Sequence, residues 1–166
     1  MTEVTKVQPK CYYTTPEYAS SFWGKYIYIY KGQGRLQLTS ESLVFESKSL
    51  SFDIPHRAIS SISAGLFSRW AKPFGLTYIS LQYLQDGKDK TIFLIPAESV
   101  FAPTWKTSKV IEDWIAALGQ VGELSNRIKL PLPKVKPPTF AQMALFVLLL
   151  LAFSFTVYFI ALQLLR

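Results

Sequence analysis

Hydrophobic and polar residues alternate with a period of two over much of the first hundred residues. This period places successive side chains on opposite faces of an extended strand. It predicts seven strands, at residues 25–30, 35–39, 43–48, 50–54, 58–63, 76–84 and 91–95. Tight turns such as Asp86-Gly87 separate them. Short strands joined in this way predict an antiparallel meander that bends into a sandwich or barrel.

A helical period follows the last predicted strand. Apolar residues recur at spacings of three and four at Val110, Ile111, Trp114, Ile115, Leu118 and Val121. This spacing predicts an amphipathic helix. We expect the helix to cover an open end of the barrel and to bury Trp114 there. Residues 1–21 show no period and favour at most an edge strand around Cys11-Tyr12-Tyr13.

The tail of the chain carries no charge between Phe140 and Leu165. Residues 143–162 would span ~30 Å as a helix, which matches the hydrocarbon thickness of a bilayer. A buried helix of a globular core is the alternative, but the stretch is apolar on every side. Residues 140–166 are therefore predicted to form a single transmembrane α-helix.

The segment before the tail is rich in proline and in positive charge. Residues 123–139 contain the membrane-proximal cations Arg127, Lys129, Lys134 and Lys136. Cations beside a spanning helix stay on the cytoplasmic side, and they also attract anionic lipid. The expectation is a single-pass, tail-anchored integral membrane protein. Its N-terminal domain would lie on the cytoplasm-equivalent side and its short C-terminus on the opposite side.

Residues suited to catalysis are few. Cys11 is the only cysteine and His56 the only histidine. His56 lies in a Pro-His-Arg turn and is expected to be solvated, while Cys11 is expected to be an ordinary small apolar residue. No catalytic set, metal site or cofactor motif is found, so the sequence predicts a protein that is not an enzyme. Most of the net charge of +7 lies near the tail, so no nucleic-acid partner is expected.

Four short motifs lie along the predicted strands: GRLQLT at residues 34–39, LVF at 43–45, FDIP at 52–55 and ISSI at 59–62. With the strand count and the single helix, they resemble the GRAM branch of the pleckstrin-homology (PH) superfold. The resemblance implies a mainly β, seven-stranded antiparallel barrel capped by one C-terminal amphipathic helix. The resemblance covers about residues 22–122, which are predicted to form a PH/GRAM-like domain. An N-terminal extension at 1–21 would precede it, and the Pro-rich basic linker at 123–139 and the tail helix at 140–166 would follow it.

The resemblance also suggests where a ligand would bind. Phosphoinositide sites of PH-type domains carry a Lys-x(n)-Arg-x-Arg pattern on the first two strands. Lys31 and Arg35 match its first two positions, and Gln37 occupies the third. This departure favours a protein partner over a lipid head group.

A loop at residues 66–75 concentrates aromatic and cationic side chains without a regular period. The further candidates for lipid or partner binding are Phe67, Arg69, Trp70, Lys72 and Phe74. Packing of the aromatic residues into the core and their exposure at an interface are both open. The sequence predicts a membrane-anchored interaction module, such as an accessory subunit, adaptor or assembly factor, that binds another membrane protein or complex at the bilayer. Head-group binding at the membrane surface is the alternative.

Overall fold

A computed structural model describes residues 4–26, 30–48, 50–67, 76–99, 104–129 and 139–164. The chain divides into two compact units, Met1–Val135 and Lys136–Arg166. The first unit contains every described strand, and the second contains one helix.

The first unit is mainly β and is built on one antiparallel sheet of seven strands. The strands are β1 (Val4–Thr14), β2 (Gly32–Thr39), β3 (Ser42–Ser47), β4 (Ser51–Pro55), β5 (Ile59–Phe67), β6 (Leu76–Gln85) and β7 (Lys88–Pro96). Their order across the sheet is β4-β3-β2-β1-β7-β6-β5. Two meanders of three strands therefore flank β1, which lies at the centre.

Helices connect the strands and follow them. They are α1 (Pro16–Ser20), α2 (Phe22–Tyr26), α3 (Thr104–Gln120), α4 (Gly122–Ser125) and α5 (Phe140–Leu164), and a single 3₁₀ turn, His56–Ala58, joins β4 to β5. α1 and α2 lie in the connection between β1 and β2. α3 and α4 follow β7.

The strands predicted from residue 35 onward are confirmed, with small changes at their ends. Their alternation corresponds to one buried face, since Leu36 and Leu38 on β2 and Phe45 on β3 are all fully buried. The predicted hairpin at Asp86-Gly87 is present between β6 and β7. Both residues have positive φ angles, 54° and 71°, as the common two-residue hairpin turn requires.

The first predicted strand, at residues 25–30, is wrong at its start, because α2 occupies Phe22–Tyr26. Residues 27–29 lie outside the described residues. The remaining strand of the sheet is β1, which pairs with both β2 and β7. Cys11 and Tyr13 belong to the main core, whereas Tyr12 packs in a second cluster on the other side. Because apolar residues are buried on both faces, β1 lacks the alternation by which the other strands are found.

The predicted closed barrel is also wrong, because the sheet is open. A barrel requires its two edge strands to pair with each other, but β4 and β5 do not pair within the described ranges. The 3₁₀ turn separates them, and the edge of β5 has a different neighbour. Ile62 forms a parallel bridge with Ile128, where the Ile62 N–H donates to the Arg127 carbonyl (2.9 Å) and the Lys129 N–H donates to the Ile62 carbonyl (2.7 Å).

α3 lies against β6 and β7 and buries its apolar face. Trp114 is fully buried, which confirms the prediction made for it. Its indole Nε1 donates to Gln8 Oε1 on β1 (3.3 Å). The Lys6 ammonium donates to the Asp113 carbonyl (2.7 Å) and lies 5.3 Å from the centroid of the Trp114 ring. These contacts join α3 to the central strand.

The second unit consists of α5, on which apolar side chains such as Leu148, Phe153 and Phe155 are exposed. A spanning helix needs about 20 consecutive apolar residues. Over the residues that the structure describes, no helix combines the length and apolar character needed to cross a membrane. The prediction of a single transmembrane helix is therefore wrong. The single-pass, tail-anchored localisation and the orientation derived from it are wrong for the same reason.

Candidate functional site

The connection between β1 and β2 is a compact pair of short helices. The Thr15 hydroxyl accepts a hydrogen bond from the Tyr18 N–H (3.4 Å) and caps α1. Ser21 joins the two helices, since its hydroxyl donates to the Tyr18 carbonyl (2.6 Å) and accepts from the Gly24 N–H (3.1 Å). Such local bonds are typical of serine and threonine at helix starts. They fix the position of the residues that follow Ser21.

Two aromatic residues on this connection are exposed. Phe22 is 66% exposed and Trp23 60%, and their rings meet edge to face with centroids 6.3 Å apart. They are the most exposed large hydrophobic residues among those described in the first unit. Large apolar side chains exposed together are typical of interaction surfaces. The sequence-based candidates did not include this aromatic pair, although two adjacent aromatics in an otherwise polar segment were a visible signal.

The predicted candidate Lys31 directly precedes β2, and Arg35 is the fourth residue of that strand. Lys31 is exposed, its ammonium lies 5.9 Å from the centroid of the Tyr18 ring, and its N–H donates to the Tyr13 carbonyl (2.8 Å). Arg35 is exposed opposite Glu46 of β3. Lys31 therefore lies beside α1, while Arg35 faces the neighbouring strand.

The predicted aromatic loop is described only at its start. Phe67 is half-buried at the end of β5, and its ring lies 4.3 Å from that of Tyr78 and 6.0 Å from that of Phe93 between centroids. Phe67 thus packs within an aromatic cluster on the sheet. The other candidates of this loop, Arg69, Trp70, Lys72 and Phe74, lie outside the described residues.

Two of the four predicted membrane-proximal cations are described. The Arg127 guanidinium donates to the carbonyl groups of His56 (2.8 Å), Arg57 (3.3 Å) and Ile59. Arg127 thus connects the end of α4 to the 3₁₀ turn. Lys129 is exposed, and Lys134 and Lys136 lie outside the described residues.

A polar cavity of about 670 Å³ lies beside the 3₁₀ turn. We call it the His56 cavity. It is lined by Ser40, Glu41, Ser42, Asp53, Pro55, His56, Arg57, Val121, Gly122 and Glu123. These residues come from the β2–β3 turn, β4, the 3₁₀ turn and the start of α4. Three separated stretches of the chain meet here, at residues 40–42, 53–57 and 121–123, so no local sequence motif could have indicated the cavity.

His56 contributes to the floor of the cavity. It is only 2% exposed, so the prediction of a solvated loop residue is wrong. Its backbone N–H donates to the Glu41 carbonyl (2.9 Å), and its imidazole bonds the Ser42 backbone. Burial lowers the imidazole pKa below its ordinary value, an effect that the Ser42 hydrogen bond and the charge of Glu123 partly oppose. Nε2 is buried without a hydrogen-bond partner among the described residues.

Charged groups surround the exposed rim of the cavity. Glu41, Asp53 and Glu123 contribute three carboxylates, and Arg57 contributes one guanidinium. The cavity is therefore net negative while His56 is neutral. No group of three His, Cys, Asp or Glu residues in the described ranges is placed to hold a metal ion.

No protein-family model matches the chain, and no curated protein sequence matches it. Among solved structures, the hSac2 domain from human phosphoinositide phosphatase Sac2 is similar at a TM-score of 0.46 and 11% identity, over 83% of this chain and 84% of that one. A likeness of this strength supports no statement about function.

Proposed function

We propose that the chain is a non-enzymatic, PH/GRAM-like interaction module that binds another protein through the connection between β1 and β2. Two features support the PH/GRAM-like assignment. The strand motifs at 34–39, 43–45, 52–55 and 59–62 lie on β2, β3, β4 and β5, and one long helix after the last strand packs on the sheet. The open sheet is a departure from that family.

The exposed aromatic pair, Phe22 and Trp23, is the observation that carries the binding proposal. Burying two such rings in a complex removes a large apolar area from water, and tryptophan is enriched among residues that dominate binding energy. The connection is also held in place by the Thr15 and Ser21 hydrogen bonds. A partner would therefore meet a largely preformed surface at a small entropic cost.

Affinity purification of the full-length chain with crosslinking tests this proposal. A protein crosslinked to the wild-type chain near Trp23 should be lost from the Phe22→Ala/Trp23→Ala variant. Leu84→Ala is the matched control, because Leu84 is also exposed (53%) but lies at the end of β6. The proposal fails if the double variant retains every partner of the wild-type chain.

Head-group binding is the second candidate, and the position of Lys31 beside the same connection favours it. Anionic lipid attracts exposed lysine, and tryptophan favours the membrane interface. Fluorescence with phosphatidylserine vesicles separates the two candidates. The chain has four tryptophans, so the Trp23 contribution is the difference between wild type and Trp23→Phe. A blue shift confined to that difference would indicate lipid contact in place of a protein partner.

A further inference from the structure

The His56 cavity is a second candidate site, separate from the aromatic pair. We propose that it binds a cationic hydrogen-bond donor, a guanidinium or ammonium group, which donates to His56 Nε2 and is balanced by the carboxylates of the rim. This site lies on other elements than the connection between β1 and β2, so the inference does not depend on the proposed function.

The state of the imidazole defines the first requirement for a ligand. We assign the ring proton to Nδ1, because the Ser42 backbone acts on the imidazole as a hydrogen-bond partner and Nε2 has no partner among the described residues. A neutral imidazole that donates from Nδ1 carries a lone pair on Nε2. Nε2 can therefore only accept a hydrogen bond. A buried acceptor that lacks a donor is unfavourable, so a ligand with N–H groups gains from reaching it.

The charge of the cavity defines the second requirement. Glu41, Asp53 and Glu123 line the same cavity as a neutral histidine, and Arg57 is the single opposing charge on its lining. A cation is attracted to this arrangement and an anion is repelled. A guanidinium or ammonium group satisfies both requirements, because it is a cation that donates hydrogen bonds. A metal ion would need further ligands, and no group of three His, Cys, Asp or Glu residues in the described ranges is placed to supply them.

The shape of the cavity permits such a ligand. Its volume of about 670 Å³ is within the range of small-molecule sites. Glu41, Asp53, Arg57 and Glu123 are exposed at the rim, while His56 and Ser42 are buried. Nε2 has almost no water-accessible surface, so rim side chains must shift for a donor to reach it. Binding of a donor at Nε2 should therefore change the surroundings of the imidazole, and this change can be measured.

Nuclear magnetic resonance of the full-length chain can observe this event directly. His56 is the only histidine, so its imidazole gives a single set of resonances. N-acetyl-arginine amide is the probe for an arginine side chain of a protein, and free arginine is the probe for a small-molecule source. N-acetyl-citrulline amide, neutral and of nearly the same shape, is the control ligand. We expect saturable shifts of the imidazole with an arginine probe and none with citrulline.

Variants separate binding from folding. His56→Asn keeps a side-chain N–H near the position of Nδ1, for the bond to Ser42, and removes Nε2. It should weaken binding of the arginine probe roughly tenfold or more, as expected for loss of one charge-assisted hydrogen bond. Glu123→Gln should weaken it by roughly threefold to tenfold. Glu112→Gln, on the exposed face of α3 away from the cavity, should leave it unchanged.

The dependence on pH gives a further readout. Protonation of Nε2 removes its lone pair and adds a positive charge, so binding of the arginine probe should be lost as His56 titrates. The charged groups near the imidazole are Glu41, Asp53, Arg57, Glu123 and Arg127. Glu112→Gln should follow the same pH curve as wild type.

Three outcomes would overturn the proposal. They are equal response to arginine and citrulline, unchanged affinity in a folded His56→Asn variant, and no imidazole shift with either arginine probe. The last result would mean that no guanidinium group reaches Nε2. A response to free arginine but not to the amide would retain the site and assign it to a small molecule.

Discussion

The two edge strands of the sheet are protected in different ways. β5 is covered, because the backbone of Arg127 and Lys129 pairs with Ile62 and the Arg127 guanidinium bonds three carbonyl groups next to it. β4 pairs only with β3 within the described residues. It exposes Asp53 and Pro55 along its length.

The comparison shows how one fold keeps its two edge strands from associating with strands of other molecules. Charged residues and proline disfavour strand addition, as on β4, and a covering segment removes the free edge, as on β5. The covering of β5 uses an arginine that the sequence pattern assigned to a membrane surface. The β4 edge stays accessible, and the His56 cavity opens beside it.

The largest loss of stability is expected from a change away from both edge strands, where α3 packs on the sheet. Trp114→Ala should lower the free energy of unfolding by about 3–5 kcal/mol, the range for deletion of a large buried aromatic. Chemical denaturation of the full-length chain measures it. A loss below about 1 kcal/mol would show that α3 contributes little to the free energy of unfolding. The edge strands would then contribute more to stability than the packing of α3 on the sheet.

Removal of the Arg127 side chain tests the covered edge. Arg127→Ala leaves three carbonyl groups without their charged donor and should cost about 2–3 kcal/mol. Asp53→Ala on the β4 edge is the matched control and should change stability by less than about 0.5 kcal/mol, since Asp53 is exposed. Equal losses in the two variants would mean that the edges do not differ in the way proposed.

Acid should lower the free energy of unfolding through His56, which lies in the 3₁₀ turn between β4 and β5. The pKa of His56 is lowered in the folded protein from an ordinary value of 6.5. As the pH falls below 6.5, the unfolded chain takes up a proton that the folded chain does not, so the free energy of unfolding decreases. The decrease ends once the pH passes the lowered pKa. Denaturation between pH 7 and pH 5 should show this loss in wild type and not in His56→Asn, and a loss of equal size in both would contradict it.

The smallest effect is expected at Gly122, at the start of α4. A Cβ added there meets no heavy atom within 4 Å, and its φ angle is not in the left-handed region. Gly122→Ala should therefore stabilise the fold by about 0.4–1 kcal/mol by restricting the unfolded chain. Gly34→Ala is the contrasting variant, because its Cβ would lie 2.2 Å from the Glu46 carbonyl oxygen. Thermal unfolding should show a gain for the first and a loss for the second.

The sequence predicted those parts of the fold that have one buried face. On β2 and β3 the buried positions, such as Leu36, Leu38 and Phe45, alternate with less buried ones. Along α3 the apolar residues around Trp114 follow a helical spacing. These patterns made the three elements predictable. β1 was indicated only around Cys11-Tyr12-Tyr13 and as an edge strand, whereas it is the central strand. These three residues are buried on alternate faces and leave no polar side in the pattern. Tyr26 began the strand-like alternation predicted at residues 25–30, but it is the last residue of α2.

The candidate sites were harder to predict than the fold. The exposure of Trp23 depends on the hydrogen bonds of the Thr15 and Ser21 side chains, which orient α1 and α2. The pattern of apolar residues does not reveal such bonds. The His56 cavity joins residues more than eighty positions apart in the chain, from Ser40 to Glu123. Arg127 carries the same charge as its neighbours, and only the geometry shows that it bonds carbonyl groups.

The central position of β1 has a consequence for the order in which the chain folds. β2 to β4 and β6 to β7 are joined by short connections and can pair soon after synthesis, whereas Cys11 lies opposite Pro96. Non-local pairing of this kind slows folding, because a long loop must close before any contact forms. During synthesis, which starts from the N-terminus, β1 would pair with β2 before β7 is available. The strands β1–β4 and the β6–β7 hairpin would thus form early. Pairing of β1 with β7 would be the slow step.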